Sequence, residues 1–235
     1  MAAPDLVVPV REVAVNPQLR YALRSWVVNL PHRTVWTVGY RHRWLTSEAG
    51  HIPIRQDGTS YVNTTTAMRA ACEHPEVSDP FVWANDDMFV MQPVEGGMPV
   101  LHRGPLRDLI AARAGQRGPY VDGMRETYAW LTGRGYDEPL SYDVHVPLPV
   151  SKAGMLRALD EGRGHDAHKR TVYGVLNGID GEQVQDVKIA YRAPRGYGPD
   201  SAFLSTMPDA FTNGYVGQFI RVRFPEPCRY EARSR

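Results

Sequence analysis

The chain has 235 residues, 43% of them hydrophobic, with 27 Lys plus Arg against 26 Asp plus Glu. That length fits one large domain or two small ones with a sizeable core, and the near-neutral balance excludes nucleic-acid binding driven by global charge, although the last fifteen residues are rich in Arg. No run of about eighteen apolar residues is present to span a membrane, residues 1–6 lack the charged start and apolar core of a secretory signal, and Cys72 and Cys228 show no metal-site spacing, so a reducing cytoplasm is the expected compartment.

Residues 5–11, Asp-Leu-Val-Val-Pro-Val-Arg, read as a short buried strand. Asn16 then supplies a helix cap and Pro17 a first helical residue. Leu19, Leu23, Trp26, Val27 and Leu30 follow at helical spacing and predict an amphipathic helix over 17–29. A second strand is expected over 33–40, a third over 51–55, a helix over 64–73 and a fourth strand over 80–84. This order describes the first half of an α/β sandwich with a mainly parallel sheet, and such sheets place ligands at the carboxyl ends of their strands.

The second half is less regular. It reads as a turn at 95–99, helices at 106–114 and 125–134, a loop between them, a strand over 140–150 and a helix over 152–161. A break follows at 162–166. Residues 169–176 and 215–224 fit helix or strand, and 200–210 is expected to be loop-rich. Nothing divides the chain, so a single domain over 1–235 is expected.

The densest chemical signal is Phe81-Val82-Trp83-Ala84-Asn85-Asp86-Asp87-Met88-Phe89-Val90. An apolar run ends in an amide and two adjacent carboxylates. Such carboxylates repel each other and lose solvation at the end of a buried strand, and a cation relieves both costs. Mg²⁺ or Mn²⁺ held against a nucleotide-sugar diphosphate is the arrangement this suggests; the plainer alternative is a turn, which Asn and Asp both favour. In Asp143-Val144-His145, a strand would put Asp143 and His145 on one face, as metal ligands or as a base and its orienting acid. A phosphate leaving group calls for cations; Arg11, Arg170, Arg24 and Lys188 are the candidates. Asn63 is expected to open the second helix as a cap within reach of a ligand. Gly196-Tyr197-Gly198 lacks the strand–helix setting of a phosphate loop, and residues 165–168, His-Asp-Ala-His, read as an exposed loop.

Several ordered blocks resemble the Stealth family of sugar-phosphate transferases, which includes bacterial capsule polymerases and the animal enzyme that adds N-acetylglucosamine-1-phosphate to lysosomal glycoproteins. Residues 16–26 are similar to its "ELRYSLRS" helix. Trp44-Leu45, Val62-Asn63-Thr64, Val77-Ser78-Asp79-Pro80-Phe81 and Asn85-Asp86-Asp87-Met88-Phe89 follow its first blocks. His145-Val146-Pro147, Lys152, Met155 and Arg170 resemble a later block, and Phe224-Pro225-Glu226-Pro227-Cys228-Arg229-Tyr230-Glu231 its closing "F-P-x-P-S-x-Y-E". The chain departs from the family where its opening acidic loop falls, keeping the strand but presenting Arg11, and where an acid gives way near Met68.

The resemblance implies a three-layer glycosyltransferase-A-type fold with a central, mainly parallel, twisted sheet, a divalent metal and a UDP-sugar donor. Residues 1–92 would form its nucleotide-binding half and 93–235 its acceptor side. It further implies that Asp86 or Asp87 holds the metal, that His145 acts at the transfer centre and that Arg170 neutralises phosphate charge. The expected catalytic set is therefore His145, Asp87 and Arg170. Arg11, Asn63, Asn85, Arg24 and Lys188 would bind substrate, and Asp86, Asp87, Asp143 and His145 would hold Mg²⁺ or Mn²⁺. The acceptor would be a glycan or another hydroxyl. Transfer of sugar-1-phosphate and transfer of the sugar alone both remain open, and a non-catalytic glycan- or nucleotide-binding module is the alternative.

Overall fold

The computed structural model of the protein describes residues 3–162 and 167–232. In chain order it contains β1 (Asp5–Val10), α1 (Pro17–Asn29), β2 (Val35–Gly39), β3 (Gly50–Ile52), α2 (Ser60–Glu73), β4 (Phe81–Trp83), β5 (Met88–Val90), β6 (Leu101–His102), α3 (Leu106–Ala111), α4 (Pro119–Thr132), β7 (Leu148–Val150), α5 (Lys152–Glu161), α6 (Lys169–Leu176), β8 (Glu182–Gln183), β9 (Lys188–Ile189), β10 (Phe203–Thr206), α7 (Pro208–Asn213) and α8 (Tyr215–Arg223). The central sheet runs β3-β2-β1-β4-β7. Its first four strands are parallel and β7 lies antiparallel at one edge. Two small sheets, β5-β10-β9 and β6-β8, complete a mixed α/β fold with a mostly parallel centre.

β1 occupies the middle because it is apolar on both faces: Leu6, Val7, Val8 and Val10 are fully buried, as a strand covered on two sides requires. Leu6, Val8 and Val10 join Leu19, Leu23 and Trp26 of α1 and Phe211, Val216 and Ile220 of α7 and α8. Val7 joins Met68 and Ala71 of α2 and Met155 and Ala158 of α5 on the opposite face. Helices thus cover both sides. One free cysteine belongs to each side: Cys72 is buried in the α2–α5 cluster and Cys228 packs against the α1–α8 cluster.

Pro9 explains where the sheet opens. Leu6 N donates to Thr34 O on the β2 side, while Val7 O accepts from Ala84 N on the β4 side. Odd-numbered residues of β1 therefore turn their backbone groups toward β4. The β1–β4 register ends at Val7 and Trp83. Pro9 falls beyond that end, where a missing N–H sacrifices no ladder bond. The chain between β4 and β5 diverges there and leaves a cleft.

Several predicted elements shift. α2 begins at Ser60 and is capped by Thr59, whose hydroxyl accepts from Val62 N at 3.3 Å. Asn63 therefore lies in its first turn and brackets Gly58 instead of capping. The expected strand over 140–150 is extended only at Leu148–Val150. Val146 N donates to Val144 O at 2.8 Å, a tight turn at His145. Residues 169–176 and 215–223 are helical. Residues 200–210, expected to be loop, contain β10, whose Leu204 and Ser205 pair with β5.

Gly217 sits inside α8, where a Cβ would collide with the Phe211 carbonyl oxygen. Alanine favours a helix over glycine by about 1 kcal/mol, but backbone overlap costs about 1–3 kcal/mol. Gly217→Ala is expected to lower the thermal midpoint; an unchanged or higher midpoint would show that α7 and α8 can separate freely.

Candidate functional site

A cleft of about 500 Å³ opens at the carboxyl ends of β1 and β4. Its floor carries Asn85, Asp86 and Asp87, and the N-termini of α1 and α2 contribute Asn16, Gln18, Ser60, Asn63 and Thr64. Arg11 is exposed at its margin and Lys188 enters from β9. The acidic residues occupy a turn closed by Met88 N donating to Asn85 O at 3.2 Å. The turn alternative and the cleft therefore coincide.

Asn16 serves two purposes. Its Oδ1 accepts from Leu19 N at 3.0 Å, capping α1, and its Nδ2 donates to Asp86 Oδ2 at 2.6 Å. Burial pushes the Asp86 carboxyl above its ordinary value; the Asn16 hydrogen bond opposes this and the Asp87 charge adds to it. Asp87 Oδ2 is ion-paired with Lys188 Nζ. Asp87 Oδ1 is buried and has no hydrogen-bond partner among the described residues.

A smaller cleft of about 200 Å³ adjoins the first, sharing Ser60, Thr64 and Asn85. Asp143, His168, Tyr120 and Arg170 line it. His168 Nδ1 lies 3.2 Å from Asp143 Oδ2, and Thr171 Oγ1 donates to the same oxygen at 2.6 Å. Burial acts to raise the Asp143 carboxyl, but His168, Thr171 and Arg170 together hold it well below the usual range. Burial acts to lower His168, and Asp143 outweighs that to raise it.

The signs of these shifts give a pH expectation. The stabilisation from a raised His168 is complete below its ordinary 6.5 and disappears as pH climbs through the higher folded value. That from Asp143 is present above its ordinary 3.8 and is lost as pH falls through the depressed folded value. The stability advantage of the native chain over His168→Gln should therefore shrink as pH rises from about 6.5. Denaturant midpoints across that interval check it; an advantage that grows would contradict the pairing.

Arg170 is 8% exposed and donates to Val144 O at 2.8 Å and Val146 O at 2.6 Å. Burial pushes its guanidinium down to about 10. It takes up the carbonyls that a neighbouring strand would otherwise pair, and so holds the turn at His145. His145 Nδ1 faces Asp186 Oδ1 at 2.9 Å and Oδ2 at 3.0 Å. Arg103 Nη1 lies 3.4 Å from Asp186 Oδ2. Burial acts to raise Asp186, but His145 and then Arg103 bring it below its ordinary value.

The cleft thus collects Arg11, Asn63, Asn85, Asp86, Asp87 and Lys188 from the expected set. It does not collect Asp143 and Arg170, which line the smaller cleft, or His145, which lines neither, nor Arg24, whose guanidinium is bound to Glu231 Oε1 at 2.6 Å and Oε2 at 2.9 Å and to Pro225 O at 2.8 Å. Asp143 and His145 do not pair with each other, because the chain turns at His145 and each finds another partner, Asp143 pairing with His168 and His145 with Asp186. No group of three or more His, Cys, Asp or Glu able to hold a metal forms among the described residues, so the four expected ligands are not assembled as one set. The expected break at 162–166 falls mostly on residues 163–166, outside the described residues, as do His165 and Asp166 of the expected exposed loop; Ala167 and His168 are buried. Asn16 as a cleft residue, Gln18, Arg103 and Tyr120 carry no local signal that marks them as site residues in the sequence. Asp186 is marked only by the polar pair it makes with Lys188, set between Val184, Val187 and Ile189.

No family model matches the chain, and no curated protein matches it. Among solved structures, the glycosyltransferase GlyE of Streptococcus pneumoniae TIGR4 aligns over 96% of this chain and 50% of its own length, with a TM-score of 0.39 and 9% identity. The chain spans half the length of that structure. Among the described residues no helix is long and apolar enough to cross a membrane.

Proposed function

We propose that this protein is a metal-dependent transferase of glycosyltransferase-A type, moving a sugar or a sugar-1-phosphate from a nucleotide-sugar donor, a UDP-sugar by preference, to a hydroxyl acceptor such as a glycan. The observation that carries this reading is the convergence of two adjacent carboxylates, a lysine and two helix N-termini on one cleft of about 500 Å³ at the strand ends. Helix N-termini offer unpaired N–H groups and partial positive charge to phosphates. The Stealth-like order of blocks supports the same reading.

Mg²⁺ or Mn²⁺ suits this donor set. Mg²⁺ is held through one or two carboxylates together with substrate phosphates and water, without a closed protein cage. Asp86 and Asp87 supply those carboxylates, and the partnerless Asp87 Oδ1 is the atom a cation would satisfy. When bound, the ion would neutralise charge on the leaving nucleotide. Arg11 and Lys188 add fixed positive charge at the same place, Asn16 orients Asp86, and Asn63 and Thr64 present the start of α2 to the donor. The Stealth resemblance alone gives His145 the role of acceptor base in this scheme, since His145 lines neither of the two clefts. Arg170 serves it from behind, by fixing the carbonyls on either side.

Incubating the protein with Mg²⁺ or Mn²⁺ and a panel of UDP- and GDP-sugars tests the proposal. Nucleoside monophosphate release identifies sugar-1-phosphate transfer, and diphosphate release identifies sugar transfer. The second reading, a binding module without turnover, is favoured by Arg11 standing where the Stealth acidic loop falls and by the acid missing near Met68. Tight donor binding with no release from any donor would select it.

A further inference from the structure

His145 is fixed from three directions. Arg170 holds the carbonyls of both neighbours, Val144 and Val146. Asp186 Oδ1 accepts from the His145 backbone N–H at 3.2 Å. The same carboxylate meets Nδ1 at 2.9 Å and 3.0 Å. An ionised carboxylate only accepts, so Nδ1 must carry a proton and, in the neutral ring, Nε2 must hold the lone pair. Nε2 makes no hydrogen bond among the described residues, and the side chain is 31% exposed. The carboxylate is itself steadied by Arg103, whose Nη1 also donates to the Tyr120 hydroxyl at 3.3 Å.

Asp186 precedes Lys188 by two residues, a separation of at most about 7 Å along the chain. Lys188 lines the donor cleft and pairs with Asp87. One short segment therefore supplies both the cation at the carboxylate floor and the acid behind His145.

We propose that Asp186 is the positioning residue that sets the tautomer and ring orientation of His145 for proton abstraction, an assignment that rests on the transferase reading above. The acceptor O–H bond breaks and its proton passes to Nε2. The acceptor oxygen bonds to the donor's phosphorus or anomeric carbon, and the nucleotide leaves with the electron pair of the broken bond. The resulting imidazolium stands against the Asp186 carboxylate and returns its proton to water.

The test uses nitrogen NMR of the full chain together with steady-state kinetics. The native protein is expected to show neutral His145 protonated at Nδ1. Asp186→Asn is expected to populate the Nε2-protonated form, to lower kcat on the order of 10²–10⁴-fold and to leave the donor KM nearly unchanged. In a His145→Ala background, Asp186→Asn should cost little more, because the two act as a unit. A native His145 protonated at Nε2 overturns the proposal without any variant. So does an Asp186→Asn protein with unchanged kcat, or one whose loss is as large without His145 as with it. If no donor turns over, the transferase reading fails, while the tautomer measurement still decides whether Asp186 orients the ring.

Discussion

On the proposed transferase reading, Asp87→Asn is expected to lower transfer by on the order of a hundredfold or more, because a carboxylate holding a Lewis-acidic ion would contribute several kcal/mol to the transition state. The asparagine keeps the size of the side chain and removes its charge. Two effects then oppose each other in the folded protein. Asp86 loses the neighbouring negative charge that helps to raise its pKa. Lys188, whose side chain is 17% exposed, loses its ion-pair partner. Their partial cancellation should leave the thermal midpoint close to that of the native chain, while binding of Mn²⁺, followed by paramagnetic relaxation of water protons, weakens sharply. An Asp87→Asn protein that transfers at the native rate would reduce the Asn85–Met88 turn to a turn and nothing more.

Glu231→Gln should have the largest effect on stability. The Glu231 side chain is fully buried; Arg24 approaches it at 2.6 Å and Arg20 at 2.8 Å, and the Cys228 N–H donates to it at 3.1 Å. Arg24 is itself 7% exposed. Breaking a buried pair from one side costs about 3–5 kcal/mol, because the remaining charge stays buried without compensation. The urea midpoint should fall accordingly, at an unchanged slope if the denatured state is unaltered. Turnover per folded molecule should persist, since none of these residues lines the cleft. Replacing Arg24 and Glu231 together by methionine should recover much of the loss; no recovery would assign the cost to packing rather than to stranded charge.

This ion pair also bears on what could be read from the sequence. The closing Phe224–Glu231 block resembles a family motif, and the sequence alone offers Arg24 as a phosphate ligand. The structure joins the two into a clamp that ties the chain's last segment to α1. An arginine's partner more than two hundred residues away is invisible to local pattern. The first strands and α1 were legible because their signals are local: a continuous apolar run, an Asn cap, a Pro at the first helical position and apolar residues at helical spacing. The acidic turn was legible for the same reason, as an abrupt polar ending to an apolar run.

The small sheet β5-β10-β9 was not legible, because strands of two to four residues depend on partners far along the chain for their stability. The region around Asp143 misled in a more instructive way. Tyr142, Val144 and Val146 are buried in alternation, as a strand would have them. Yet Arg170 takes the carbonyls of Val144 and Val146 in place of a neighbouring strand. Alternation reports which side chains face the core; it does not report what satisfies the backbone.

The distribution of the two thiols has a practical consequence. Desolvation pushes Cys72 up to about 12 and Cys228 up to about 11, so neither supplies appreciable thiolate near neutral pH. Alkylation of the buried Cys72 must wait until α2 and α5 come away, whereas Cys228 is only half-buried, and each sulfur lies on a different side of the central sheet. The labelling rate at Cys72 would time the opening of its layer, with the more accessible Cys228 as an internal reference on the other side, without introducing any foreign probe.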